Sequence, residues 1–205
     1  MDAWVAAVVF VTAYALIATE RALKLSRSPA VMVPAARVLT AAGRESEARA
    51  LAAELESQLQ PVNRAYGKVI AGEIALQRGA VPDAVDAFLA AQQMVDYTAR
   101  GGNKGYWLSR YGLGIAYVRA GHYAEALSEF DACAKRQGEV AAVFLDDVPT
   151  YRYLVPLWYW MARAQEGLEL RSEATANYKK FLALRPASSG DPLSADAEKR
   201  IGAPR

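Results

Sequence analysis

The sequence predicts an all-α chain: an α-solenoid of about four stacked antiparallel helix pairs, a hydrophobic helix before them and a short capping helix after them. Three observations predict it. Apolar residues recur at helical spacing along the 205 residues, and no segment shows a sustained period of two between hairpin turns. Alanine, the strongest helix former, supplies 42 residues. One short pattern of glycine, alanine and aromatic residues returns along the chain. A hydrophobic share of 53% allows a sizeable core and excludes global disorder.

The first element is Ala3–Thr19, which holds no charged residue over 17 positions. As a helix it is about 25 Å long, against a hydrocarbon core of about 30 Å. Asp2 stands where a signal peptide would carry basic residues, so a cleaved leader is not expected. One reading is a helix buried against the array. A second is a membrane anchor; Arg21, Lys24 and Arg27 would then keep the rest of the chain in the cytoplasm. A third is the tail of a longer protein, cut inside a helix pair.

Helices are then expected over Pro29–Ala42, Glu45–Leu59, Val62–Arg78, Val81–Val95, Tyr106–Ala120, Tyr123–Arg136, Thr150–Leu168 and Ser172–Leu184, with a short last one over Leu193–Ile201. Gly-containing turns separate the partners of each pair. Pro186 and the PASSGDP stretch set the last helix apart.

The second helices align from Gly43, Gly79, Gly121 and Glu169. Five residues after each comes alanine: Ala48, Ala84, Ala126 and Ala174. Four further on stand Ala52, Phe88, Phe130 and Tyr178. The starts lie 36, 42 and 48 residues apart. Small residues let helices cross closely, the aromatic rings fill the space between pairs, and the glycines supply turns with positive φ. One pair cannot bury both faces, so neighbours must stack.

The pattern resembles the tetratricopeptide repeat, W-x2-L-G-x2-Y followed by A-x3-F and P. Leu113-Gly114-Ile115-Ala116-Tyr117 matches L-G-x2-Y, and Gly121, Ala126 and Phe130 complete that repeat. Gly72, Gly79, Ala84 and Phe88 match in the repeat before it. Trp158, Met161, Ala162, Ala174, Tyr178 and Pro186 match in the last, with Glu169 where glycine is expected. The first repeat keeps Gly43 and Ala48. The resemblance covers roughly residues 28–186, leaving 1–27 as the hydrophobic helix and 187–205 as cap and tail.

That resemblance implies a non-catalytic protein-interaction scaffold whose first helices line a concave groove. The groove positions are Val33 and Arg37; Tyr66, Val69 and Glu73; Leu108, Tyr111, Ile115 and Arg119; and Tyr159, Arg163 and Glu166. Arg37, Tyr66, Glu73, Tyr111, Arg119, Tyr159 and Arg163 are the candidates for holding an extended or helical peptide, through tyrosine faces and arginine ion pairs. The Lys and Asn set with which chaperone-binding members clamp a terminal carboxylate is not present.

Residues 138–168 form an insertion rich in aromatics, with Asp146 and Asp147 beside Pro149. Phe144 and Tyr153 are expected to lock it to the array and Asp147 to cap a helix. An aromatic and acidic rim for a ligand is the alternative. Together with YKKFLAL and DPL, this stretch is similar to the carboxy-terminal repeat region of some bacterial eukaryotic-type serine/threonine kinases and helix-turn-helix regulators. That similarity implies a regulatory segment of a larger signalling protein; the chain carries no kinase signature of its own.

Little points to catalysis or a cofactor. Adjacent aspartates are not a separated acid and base pair. His122 is the single histidine, in a turn, and Cys133 the single cysteine, at a packed helix position, so neither a metal cluster nor a nucleophile with its base is expected. TARGGNKG before Tyr106 lacks a P-loop, and Gly112-Leu113-Gly114 lies inside a predicted helix. A formal net charge of +2 gives no footprint for nucleic acid. The chain is expected in the cytoplasm, free or anchored by Ala3–Thr19, with a protein or peptide partner. The uncapped first repeat leaves pairing with another copy open.

Overall fold

The computed structural model describes the backbone of residues 3–96, 104–138, 153–185 and 191–202, and the side chains of these except residues 3–12, 95–96 and 104–106. Among the described residues the chain is all-helical. We label its main helices α1 (Ala3–Leu25), α2 (Pro29–Ala41), α3 (Glu45–Glu56), α4 (Pro61–Gln77), α5 (Val81–Asp96), α6 (Lys104–Ala120), α7 (Tyr123–Lys135), α8 (Val155–Gly167), α9 (Arg171–Leu184) and α10 (Pro192–Gly202).

The helix starts follow from local chemistry. Pro29 and Pro61 open α2 and α4, where a missing N–H leaves nothing unsatisfied. Pro156 lies in the first turn of α8, preceded by a π-helical turn at residues 153–154; the start expected at Thr150 lies outside the described residues. Asp191 caps α10 by accepting from the Ser194 backbone N–H at 3.2 Å.

The four turns inside the pairs are built alike. Gly43, Gly79 and Gly121 take φ of 75°, 75° and 79°, and Glu169 takes 62°. At each, the following residue's N–H reaches back five residues: Arg44 to Leu39, Ala80 to Ala75, His122 to Tyr117 and Leu170 to Gln165, all at 2.8–2.9 Å. The turn residue's own N–H bonds the carbonyl three residues back. This double bond closes a helix end only around a left-handed residue. Glu169 is the one non-glycine in that conformation among the described residues. Glu169→Gly should therefore raise stability by about 0.5–1 kcal/mol, the left-handed strain being partly offset by glycine's extra backbone entropy. The urea midpoint checks it; a lower midpoint would show that Glu169 is unstrained.

Packing runs between consecutive helices. α3, α5 and α7 each lie against the first helix of their own pair and the first helix of the next. The first helices also touch in series, α2 to α4, α4 to α6 and α6 to α8. Small residues set these approaches. A Cβ on Gly114 of α6 would stand 2.5 Å from the Phe130 ring of α7, and one on Gly72 of α4 would stand 2.7 Å from the Phe88 ring of α5. A Cβ on Gly112 of α6 would enter the same Phe88 ring. Phe88 thus sits between α4 and α6, and joins one pair to the next. Ala48, Ala84, Ala126 and Ala174 are all buried where the facing helix crosses.

Cys133 is buried and tied to α6: Trp107 Nε1 donates to its carbonyl at 3.0 Å, and its thiol donates to the Trp107 carbonyl at 3.7 Å. His122 stacks on Tyr117, with ring centroids 6.0 Å apart. Gly112 and Gly114 lie within α6 and serve helix packing. Phe144, Asp146, Asp147 and the TARGGNKG segment up to residue 103 fall outside the described residues.

Candidate functional site

The predicted groove residues fall into two clusters on the first helices, and a lone arginine. The first cluster joins α2, α4 and α6. Arg37 of α2 donates to Glu73 of α4 through Nε at 2.7 Å and through Nη2 at 2.5 Å, a two-pronged ion pair at half-buried side chains. Tyr66 lies nearby on α4, and its hydroxyl pKa is raised by burial, with the Arg37 charge opposing. Tyr111 of α6 stacks on Trp107 at 5.2 Å between centroids.

Tyr153, just before α8, completes this cluster. Its ring packs at 5.8 Å from Tyr111 and 6.0 Å from Trp107, and the Arg37 guanidinium lies 5.0 Å from its centroid. It is 6% exposed. Tyr153 packs on the first helices as expected, as far away as α2; Phe144, expected to help hold the same loop, lies outside the described residues.

The second cluster holds α10 against the last pair. The Tyr159 hydroxyl donates to Asp196 at 2.7 Å and accepts from Arg163 Nη1 at 3.2 Å. Arg200 donates to Asp196 and to Glu166, each at 2.6 Å. The Tyr178 hydroxyl adds a bond to Glu166 at 3.0 Å. Two arginines and two carboxylates thus balance at the junction. Arg119 stands apart; its guanidinium donates to the Leu76 carbonyl at the end of α4.

The tyrosine part of the predicted groove needs correction. Tyr66 is 4% exposed and Tyr159 is 3% exposed, so neither presents a face to a partner. For Tyr159 the reason is packing inside the last pair: it lies against Trp160 of its own helix and Tyr178 and Phe181 of α9 at centroid distances of 5.1, 5.9 and 5.6 Å. Tyr111 keeps an edge open, as do Arg37, Glu73 and Arg163, and Arg119 is exposed.

A cavity of 170 Å³ lies between α2 and α4, lined by Ala36, Arg37, Thr40, Ile70, Glu73 and Gln77. Its floor is apolar and its walls carry the Arg37–Glu73 pair. Ligand sites for whole small molecules run to about 300–1,000 Å³, so this one suits a single side chain. Among the described residues no group of His, Cys, Asp and Glu could hold a metal ion, and no helix is long and apolar enough to cross a membrane. The side chains of residues 3–12 are not among those residues.

No known family model matches the chain, and no curated protein matches it. The functional reading therefore rests on this geometry and on the repeat pattern.

The α10 junction makes a pH prediction. Burial pushes the Asp196 carboxyl up, but the Arg200 and Tyr159 hydrogen bonds and the nearby Arg200 and Arg163 charges outweigh it and hold the pKa below its ordinary value. A depressed carboxyl contributes stability that is full above its unfolded pKa and is lost as pH falls through the folded one. The docking of α10 should hold at neutral pH and weaken below about pH 4. Hydrogen exchange of the α10 amides checks this, and Asp196→Asn should remove the acid step. An α10 equally protected at pH 3 and pH 7 would contradict it.

Proposed function

We propose that the chain is an α-solenoid of tetratricopeptide type that works as a non-catalytic scaffold, holding a protein segment along its layer of first helices. The observation that carries this is the repetition itself. The same left-handed turn recurs at residues 43, 79, 121 and 169, with a buried alanine five residues after each. Such regularity makes each first helix the neighbour of the next, and stacked repeats use that extended surface for recognition. The binding residues on this reading are Arg37 and Glu73 around the cavity, with Tyr111 and Arg119 further along. A short apolar side chain of the partner enters between α2 and α4, and its backbone or charged flanks meet the ion pair. The scaffold works in the cytoplasm on this reading, its one thiol kept reduced.

The test is selection of peptides from a random displayed library on the full chain, followed by binding measurements with variants. Arg37→Ala and Glu73→Ala should each weaken a selected peptide about tenfold or more, as loss of a part-buried, hydrogen-bonded charge does. Lys179→Ala, on the exposed side of α9, should change nothing. Peptides that bind all three variants alike would overturn the reading.

A further inference from the structure

The outer face of α1 differs from every other second-layer helix. In the array α1 occupies the place before α2 that α3 occupies before α4 and α5 before α6. The exposed sides of those later helices carry charge: Glu47 and Arg49 on α3, Asp83 and Asp86 on α5, Glu125 and Asp131 on α7, Lys179 and Lys180 on α9. On α1, Thr19 is buried and Leu16 and Leu23 pack onto the core. The opposite stripe is also apolar. Tyr14 is 69% exposed, Ile17 55% and Leu25 88%, at helical spacings of three and four with Ala18 and Arg21 between them. A helix apolar on both sides needs cover on both.

Charge decides what covers it. Arg21 lies on the stripe and Lys24 beside it; both are exposed, and neither makes a hydrogen bond or ion pair among the described residues. The one carboxylate of α1, Glu20, is held by Arg44 at 2.8 Å. A second copy laid on this stripe would bring two sets of cations together with no free acid between them. A bilayer with anionic headgroups accepts the apolar side chains and neutralises Arg21 and Lys24 at once. Tyr14 fits the interfacial level that aromatic residues favour.

We propose that the outer face of α1 docks the array on an anionic lipid surface, with Tyr14, Ile17 and Leu25 entering the headgroup boundary and Arg21 and Lys24 meeting lipid phosphates. This stands apart from the peptide-binding reading, whose residues lie on α2, α4 and α6.

Vesicle co-sedimentation of the full chain tests it. The chain should pellet with vesicles of phosphatidylcholine and phosphatidylglycerol, and much less with phosphatidylcholine alone. The triple variant Tyr14→Ser, Ile17→Ser, Leu25→Ser should stay in the supernatant, and Arg21→Glu with Lys24→Glu should weaken binding by about tenfold or more. All these positions are exposed, and circular dichroism checks that the variants keep their helix content. A parent chain that does not pellet would overturn the proposal, as would variants that pellet as well as the parent. So would a dimer, seen by light scattering without vesicles, that the serine variant abolishes.

Discussion

Phe88→Ala should destabilise the fold by about 3–5 kcal/mol, the range for truncating a fully buried phenylalanine. Its ring is completely buried. It belongs to α5 yet lies against Gly72 of α4 and Gly112 of α6, so it serves two pairs at once. The glycines on both sides have no side chains to move into the space, so a cavity would remain. Against a total stability of about 5–15 kcal/mol for an ordinary domain, this is a large share. Urea unfolding measures it as a lower midpoint. A loss under about 1 kcal/mol would mean that the pairs do not meet across this ring.

Gly112→Ala tests the same contact from the other side. Alanine is the better helix former by about 1 kcal/mol, so helix propensity alone predicts a gain. Its Cβ would enter the Phe88 ring, which is fully buried and packed so near Gly72 that no Cβ would fit there either, so the ring has little room to shift. Overpacking of this kind costs about 1–3 kcal/mol, so the net effect should be destabilising. In a Phe88→Leu background the alanine should cost much less. A double-mutant cycle reads the difference as coupling between residues 88 and 112. Additive effects, or a stabilised single variant, would contradict the sandwich.

The helices were legible because their signals are local. Gly43, Gly79 and Gly121 mark the turns by residue type, and the alanines five positions later mark the crossings. Glu169 reads as a mismatch in the sequence, yet it adopts the same turn at φ 62°, closed by the same two backbone hydrogen bonds as the three glycine turns before it. The fate of the groove was less legible. The repeat pattern places groove positions as if the first helices faced open space. The longest spacing, before the fourth pair, instead brings Tyr153 onto Trp107, Tyr111 and Arg37. No local pattern announces a contact between residue 153 and residue 37.

Two signals could have been read. Arg37 and Glu73 lie 36 residues apart, the spacing of the first two turns, so opposite charges occupy one position in successive repeats. Asp196 and Arg200 lie at i,i+4 on the last helix, a pairing that makes one face of it charged. The burial of Tyr66 and Tyr159 had no such signal. It depends on how closely one helix packs on another, which is a tertiary quantity.

The most direct test of the scaffold reading is amide hydrogen exchange of the full chain with and without a peptide selected on it. Slower exchange in α2, α4 and α6, with α3, α5, α7 and α9 unchanged, is the expected result. Slower exchange confined to the second helices, or none on any helix at saturating peptide, would contradict binding along the first-helix layer.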